Sequence, residues 1–171
     1  IYYSTGTGIL ESLSHTGRLR WRSSIDAAVT AGFVLDPSTG RGITAAGDTV
    51  YCLSFTGQHE WRRRFPGYSF FSAEVIETNL FALVAPEGIV LIDGGGTLVQ
   101  EISFSTVRDI RGIVPAGEKR FFAFSSSGFL WEFLAAGNVD GVHYYPRDAW
   151  FLGDAGRTAV IVIDGRGCFV G

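Results

Sequence analysis

The sequence is short of most residues that carry chemistry. It holds no methionine, two cysteines, three histidines and five prolines among its 171 residues. Cys52 and Cys168 are far apart and sit in no metal-ligand spacing; a pair so placed neither demands nor excludes a disulfide. Basic residues are in the minority. Fourteen Lys and Arg against 17 Asp and Glu give a net charge of −3, so the overall balance attracts neither nucleic acid nor anionic lipid. The one basic run, "RRR" at 62–64, reads as a solvated strand end rather than a binding patch. No apolar stretch approaches the roughly 18 residues that a membrane-spanning helix needs, so no direct membrane insertion is expected. A chain that opens on Ile1 and lacks methionine altogether is expected to be cut from something longer.

What is abundant points to β-structure with a buried interior. Hydrophobic residues make up 46%, aromatic residues 14% and charged residues only 18%, which argues against disorder. Glycine is plentiful at 23 residues, and two of its series are periodic. Gly17, Gly57, Gly96 and Gly137 are spaced by 40, 39 and 41. Gly8, Gly47, Gly88, Gly128 and Gly167 form the second series, each of the first four preceding a member of the first by eight to ten residues. Between the paired glycines lie short apolar segments: "ILESLS" (9–14), "VYCLS" (50–54), "IVLID" (89–93) and "FLWEFL" (129–134). A further strand precedes each, as in "GITAA" (42–46) and "RFFAFS" (120–125), and another precedes that, as in "AGFVL" (31–35) and "SAEVIE" (72–77).

Four strands in about forty residues are the mark of a propeller blade. Glycine recurs because tight hairpins need positive φ. An antiparallel sandwich is the alternative, but it gives no reason for two glycine series to hold register through four periods. The stretch "YSFFSAEVIETNLFALVA" (68–85) has no glycine or proline and could pass for helix; its β-branched and aromatic content and the repeat register assign it to strands. The expected fold is all-β: a single partial β-propeller domain over residues 1–171, with blades of four antiparallel strands at about 1–27, 28–67, 68–106, 107–147 and 148–171. That is about four and a half blades, expected to be an incomplete ring whose parent extends in both directions. Leu13, Leu53, Ile92 and Phe133, each four places before a turn glycine, are expected to be buried against a neighbouring blade.

Two segments are more specific. "ILESLSHTGRLRWRS" (9–23) and "VYCLSFTGQHEWRRR" (50–64) resemble repeats of the PQQ-like, or quinoprotein-type, β-propeller family. There a strand ends in a small or acidic residue, Thr-Gly closes a turn, and Trp follows four positions after the glycine. The resemblance implies that the Trp packs flat between neighbouring blades, against the peptide at the turn glycine of the adjoining repeat. Carried over, that blade-docking role falls to Trp21 with Gly17 and to Trp61 with Gly57, and both rings are expected to be largely buried. At the Trp position the third repeat has Gln100 and the fourth has Gly141.

The family's enzymes use a catalytic aspartate, calcium ligands and often adjacent cysteines beside the quinone. Cys52 and Cys168 are not adjacent, and Cys52 lies mid-strand, where an unreactive thiol is expected. Asp93 and Asp164, in "IDGGG" and "IDGRG", read as acceptors for turn amides rather than calcium ligands. His15, His59 and His143 form no cluster and read as structural or solvated. "GGG" at 94–96 lacks the phosphate-loop pattern and reads as a hairpin turn. No catalytic, cofactor-binding or metal residue is therefore assigned, and no cofactor is expected. The functional expectation is a non-enzymatic scaffold with a protein partner. The resemblance places it outside the bacterial cytoplasm, in the periplasm or cell envelope; relatives include the propeller lipoprotein of the outer-membrane barrel-assembly machinery. The alternatives are a fragment of a PQQ-dependent quinoprotein dehydrogenase and an extracytoplasmic sensor or surface-binding module.

Overall fold

The computed structural model describes residues 1–103, 110–117, 119–125, 129–134, 139–144, 149–154, 159–163 and 166–170. They form eighteen strands and, among the described residues, no helix. The strands fall into five antiparallel meanders in chain order. The first sheet holds β1 (Tyr2–Ser4), β2 (Ile9–Leu13) and β3 (Leu19–Ser24). The second holds β4 (Ala31–Asp36), β5 (Arg41–Ala46), β6 (Thr49–Ser54) and β7 (His59–Arg64). The third runs β8 (Ser72–Glu77), β9 (Leu80–Ala85), β10 (Gly88–Asp93) and β11 (Leu98–Ser103). The fourth runs β12 (Ile110–Gly117), β13 (Arg120–Ser125), β14 (Phe129–Leu134) and β15 (Val139–Tyr144). The fifth has β16 (Ala149–Asp154), β17 (Ala159–Ile163) and β18 (Arg166–Val170). Successive sheets adjoin through their leading strands, β4 beside β8 and β8 beside β12.

The amino-acid pattern of each strand follows from its place in this stack. Middle strands are covered on both faces, so β9 and β10 are apolar at consecutive positions rather than at alternate ones. In β9, Phe81 and Leu83 enter the core shared with the second sheet, while Ala82 and Val84 enter the core shared with the fourth. In β10, Val90 and Ile92 divide from Ile89 and Leu91 in the same way. Outer strands are charged: of "HEWRRR" in β7 only Trp61 is shielded even in part. Charge along an unpaired edge also discourages pairing with another chain.

Three of the four expected core residues are fully covered: Leu53, Ile92 and Phe133 are at most 1% exposed. Leu13 is not. It is half-buried, because Leu53, Ile92 and Phe133 each face the preceding sheet, and no described sheet covers that face of the first. Within 68–85, Ser72–Glu77 and Leu80–Ala85 are strands, and residues 68–71 lead into the first without being strand. The turn between the two strands is made without glycine by Asn79, whose φ is +62°.

Candidate interaction surface between neighbouring sheets

Each outer hairpin is built by one small device. Ser14 Oγ accepts from the amides of Thr16 (3.3 Å) and Arg18 (3.1 Å); Ser54 Oγ does the same for Thr56 (3.3 Å) and Gln58 (3.2 Å). In the third sheet, Asp93 Oδ1 takes the amides of Gly95 (2.9 Å) and Thr97 (2.8 Å). The "IDGGG" carboxylate is thus spent on its own turn. Asp164 lies outside the described residues. The fourth residue of each turn, Gly17, Gly57 or Gly96, has φ between +76° and +82°.

Beyond the turn, every described outer pair carries one extra residue. The register steps from Ser12↔Trp21 to Leu13↔Leu19, from Cys52↔Trp61 to Leu53↔His59, from Leu91↔Gln100 to Ile92↔Leu98, and from Glu132↔Gly141 to Phe133↔Val139. Such a bulge re-aims the following side chain. It sets Trp21, Trp61, Gln100 and Gly141 at equivalent stations. Trp21 lies against Gly57, so close that a Cβ there would stand 2.6 Å from the ring, and its Nε1 donates to Phe55 O at 2.7 Å. Trp61 lies against Gly96, with 3.1 Å to the same imagined Cβ, and donates to Gly94 O at 2.9 Å.

The pairing within one repeat, Trp21 with Gly17 and Trp61 with Gly57, is therefore corrected: each ring rests on the glycine of the next repeat. The reason is geometric. A side chain on an outer strand points across the gap to the neighbouring sheet, not back along its own hairpin. A Cβ on Gly17 would meet nothing within 4 Å. Both rings are half-buried rather than largely buried, since the outermost strand leaves one side open to solvent. At the third station, Gln100 Oε1 is buried without a hydrogen-bond partner among the described residues.

Other polar groups bridge the first and second sheets. His59 Nε2 lies 3.0 Å from both Ser23 Oγ and Ser24 O. A carbonyl oxygen only accepts, so Nε2 carries a proton and donates. So protonated, Nε2 cannot take a proton from Ser23, and the Ser–His contact is no nucleophilic dyad. The "RRR" run disperses: Arg62 pairs with Asp26 (3.1 Å), Arg63 donates to Gly96 O (2.5 Å) and lies over the Phe65 ring, and Arg64 pairs with Asp48 (2.7 Å). Cys52 is buried, which pushes its thiol up to about 12. His15 is exposed in its turn; the side chains of His143 and Cys168 lie outside the described ones.

One residue had no part in the sequence reading. Asp36, 2% exposed, closes β4 and accepts from the Asn79 amide (2.8 Å), the Ser38 amide (2.9 Å) and Thr39 Oγ1 (2.9 Å). Burial alone would raise its carboxyl, but these hydrogen bonds outweigh it and hold the group below the usual 3.8. It ties the second sheet to the β8–β9 turn of the third. The signal was present in "DPSTG" (36–40), an Asp-headed turn ending in Thr-Gly.

No protein-family model and no curated protein matches the sequence. The structure does have solved likenesses. The crystal structure of BamB from Moraxella catarrhalis superposes with a TM-score of 0.72 at 14% identity, covering 95% of this chain and 53% of that one. This chain folds as a β-propeller. The five meanders are its blades, and the chain spans about half the length of the BamB structure it matches. On that frame the Trp stations lie at the outer ends of the gaps between blades. One such gap, between the first two blades, opens into a groove of about 350 Å³ beside His59 and Tyr51.

Proposed function

We propose that this chain is part of a non-enzymatic, PQQ-like repeat propeller that serves as a protein-interaction scaffold outside the bacterial cytoplasm, in envelope or outer-membrane protein assembly. The observation that carries the reading is how its reactive side chains are used. Asp93 is committed to two turn amides, His59 Nε2 to the Ser24 carbonyl, and Cys52 is a buried thiol well above its working range. The Trp–Gly contacts between blades support the PQQ-like part of the proposal, with Trp21, Trp61, Gly57 and Gly96 as docking residues and Gly17 as the equivalent open position. The fold likeness to BamB supports a scaffold built from such blades.

The test is site-specific photo-crosslinking of periplasmically expressed protein, with the probe at exposed Phe55 and, separately, at Leu98. The expected result is one envelope protein trapped repeatedly from the same position. Stoichiometric binding of pyrroloquinoline quinone with calcium, together with dye-linked alcohol oxidation, would replace the scaffold by an enzyme.

A further inference from the structure

The groove between the first two blades is richer in acceptors than in donors, and we propose that it receives the guanidinium of an arginine side chain from a protein partner. This rests on the scaffold reading and adds the chemistry of one contact. Ser24 and Asp26 line one side; Tyr51, His59, Glu60 and Arg62 line the other. Tyr51 is only 5% exposed, yet among the described residues its hydroxyl has no hydrogen-bond partner, and the groove is where it opens. A phenol so deeply placed is ordinarily satisfied.

The Asp26 carboxylate is an acceptor too. The Ser24 carbonyl fixes a proton on His59 Nε2, so that nitrogen is already spent as a donor and offers none to an occupant. The Glu60 carboxylate is taken by Arg41 at 2.7 Å, on the side of the second sheet that faces Gly94 of the third, and is not counted among the acceptors. Asp26 is held only by one 3.1 Å contact to Arg62, with both side chains well exposed at 81% and 69%. Such a pair contributes little and exchanges readily.

An occupant therefore has to bring donors and positive charge. Guanidinium offers five N–H donors in a plane and no acceptor, matching oxygens spread along a groove better than the point charge of lysine. An acidic ligand would meet the Asp26 carboxylate, which repels it. Arg62 at the mouth already pairs with Asp26 as the incoming group would, so it acts as an internal competitor.

The probe is N-acetyl-arginine amide, with N-acetyl-citrulline amide as its neutral match and N-acetyl-aspartate amide as the acidic one. With three histidines in the chain, the imidazole proton–carbon NMR spectrum has few signals, and His59→Gln identifies the one that matters. A saturable shift of the His59 signal is expected with the arginine compound alone. Tyr51→Phe and the exposed, fold-neutral Asp26→Asn should each weaken binding about 3–10-fold, the range for losing one hydrogen bond. Arg62→Ala should tighten it by about 3-fold, the size of a weak exposed ion pair. Equal response to citrulline, preference for the aspartate compound, or weaker binding by Arg62→Ala would overturn the assignment. Because the photo-crosslinks at Phe55 and Leu98 do not use this groove, they separate failure here from failure of the scaffold reading.

Discussion

Replacing Gly57 by alanine, with Gly17→Ala beside it, isolates the energy of one blade-docking contact. The two glycines close hairpins with the same hydrogen bonds and nearly the same φ, +81° and +76°. Alanine at either must hold a left-handed backbone, at a cost of about 1–2 kcal/mol. At Gly17 that is the whole cost, since the new methyl meets nothing within 4 Å. At Gly57 the methyl would sit 2.6 Å from two atoms of the Trp21 ring, and the ring has to leave. It then loses the hydrogen bond to Phe55 O, about 0.5–1.5 kcal/mol, and disturbs its contacts with Tyr2 and Phe33, each with ring centroids 5.9 Å away. Eviction of a half-buried ring adds about 2 kcal/mol, below the ~3–5 for deleting a fully buried aromatic. Gly57→Ala is thus expected to cost about 3.5–5.5 kcal/mol and Gly17→Ala about 1–2. Trp21→Ala alone should cost about 2.5–3.5 kcal/mol, and in that background Gly57→Ala should fall back to the Gly17 value. Urea unfolding followed by far-ultraviolet circular dichroism measures all four, provided the slopes agree. Equal costs for the two glycines, or a Gly57 cost unchanged by removing the ring, would refute the docking role.

Other outcomes follow from single environments. Leu53→Ala, at a site with 0% exposure, should destabilise by about 2–5 kcal/mol; less than about half a kilocalorie would break the register assigned to β6. The Cys52 thiol, pushed up to about 12, should resist a disulfide reagent at pH 8 in the folded protein and react at once in denaturant, read by mass mapping of the labelled peptide. Asp36 has its folded value below 3.8, so its contribution is complete above that pH and fades as acid carries the protein through the folded value; Asp36→Asn should flatten the acid limb of a stability–pH curve and leave its slope above pH 5 unchanged. Gln100→Leu, which removes a buried amide oxygen without a partner among the described residues, should raise stability by about 1 kcal/mol in the same urea assay.

How much of this was legible in the chain alone depends on how local each feature is. The hairpins were legible because their causes lie within five residues: Ser14, Ser54 or Asp93 accepting its own turn amides, with a left-handed glycine three places on. The middle strands were legible because burial on both faces leaves a continuous apolar run, as in "LFALVA", that no single-faced strand produces. The Trp stations were legible as positions but not as pairs. Sequence spacing ties Trp21 to Gly17, whereas the stacking of blades carries the ring to Gly57, forty residues further on. The same holds for Asp36 and Asn79, which are 43 residues apart and joined by one amide, and for the proton on His59 Nε2, set by a carbonyl of the preceding blade. Leu13 and Leu53 occupy the same station of the repeat, yet one is half-buried and the other sealed. A repeat specifies what each strand is; its burial and its polar partners belong to the neighbouring sheet, and only the packed structure supplies that neighbour.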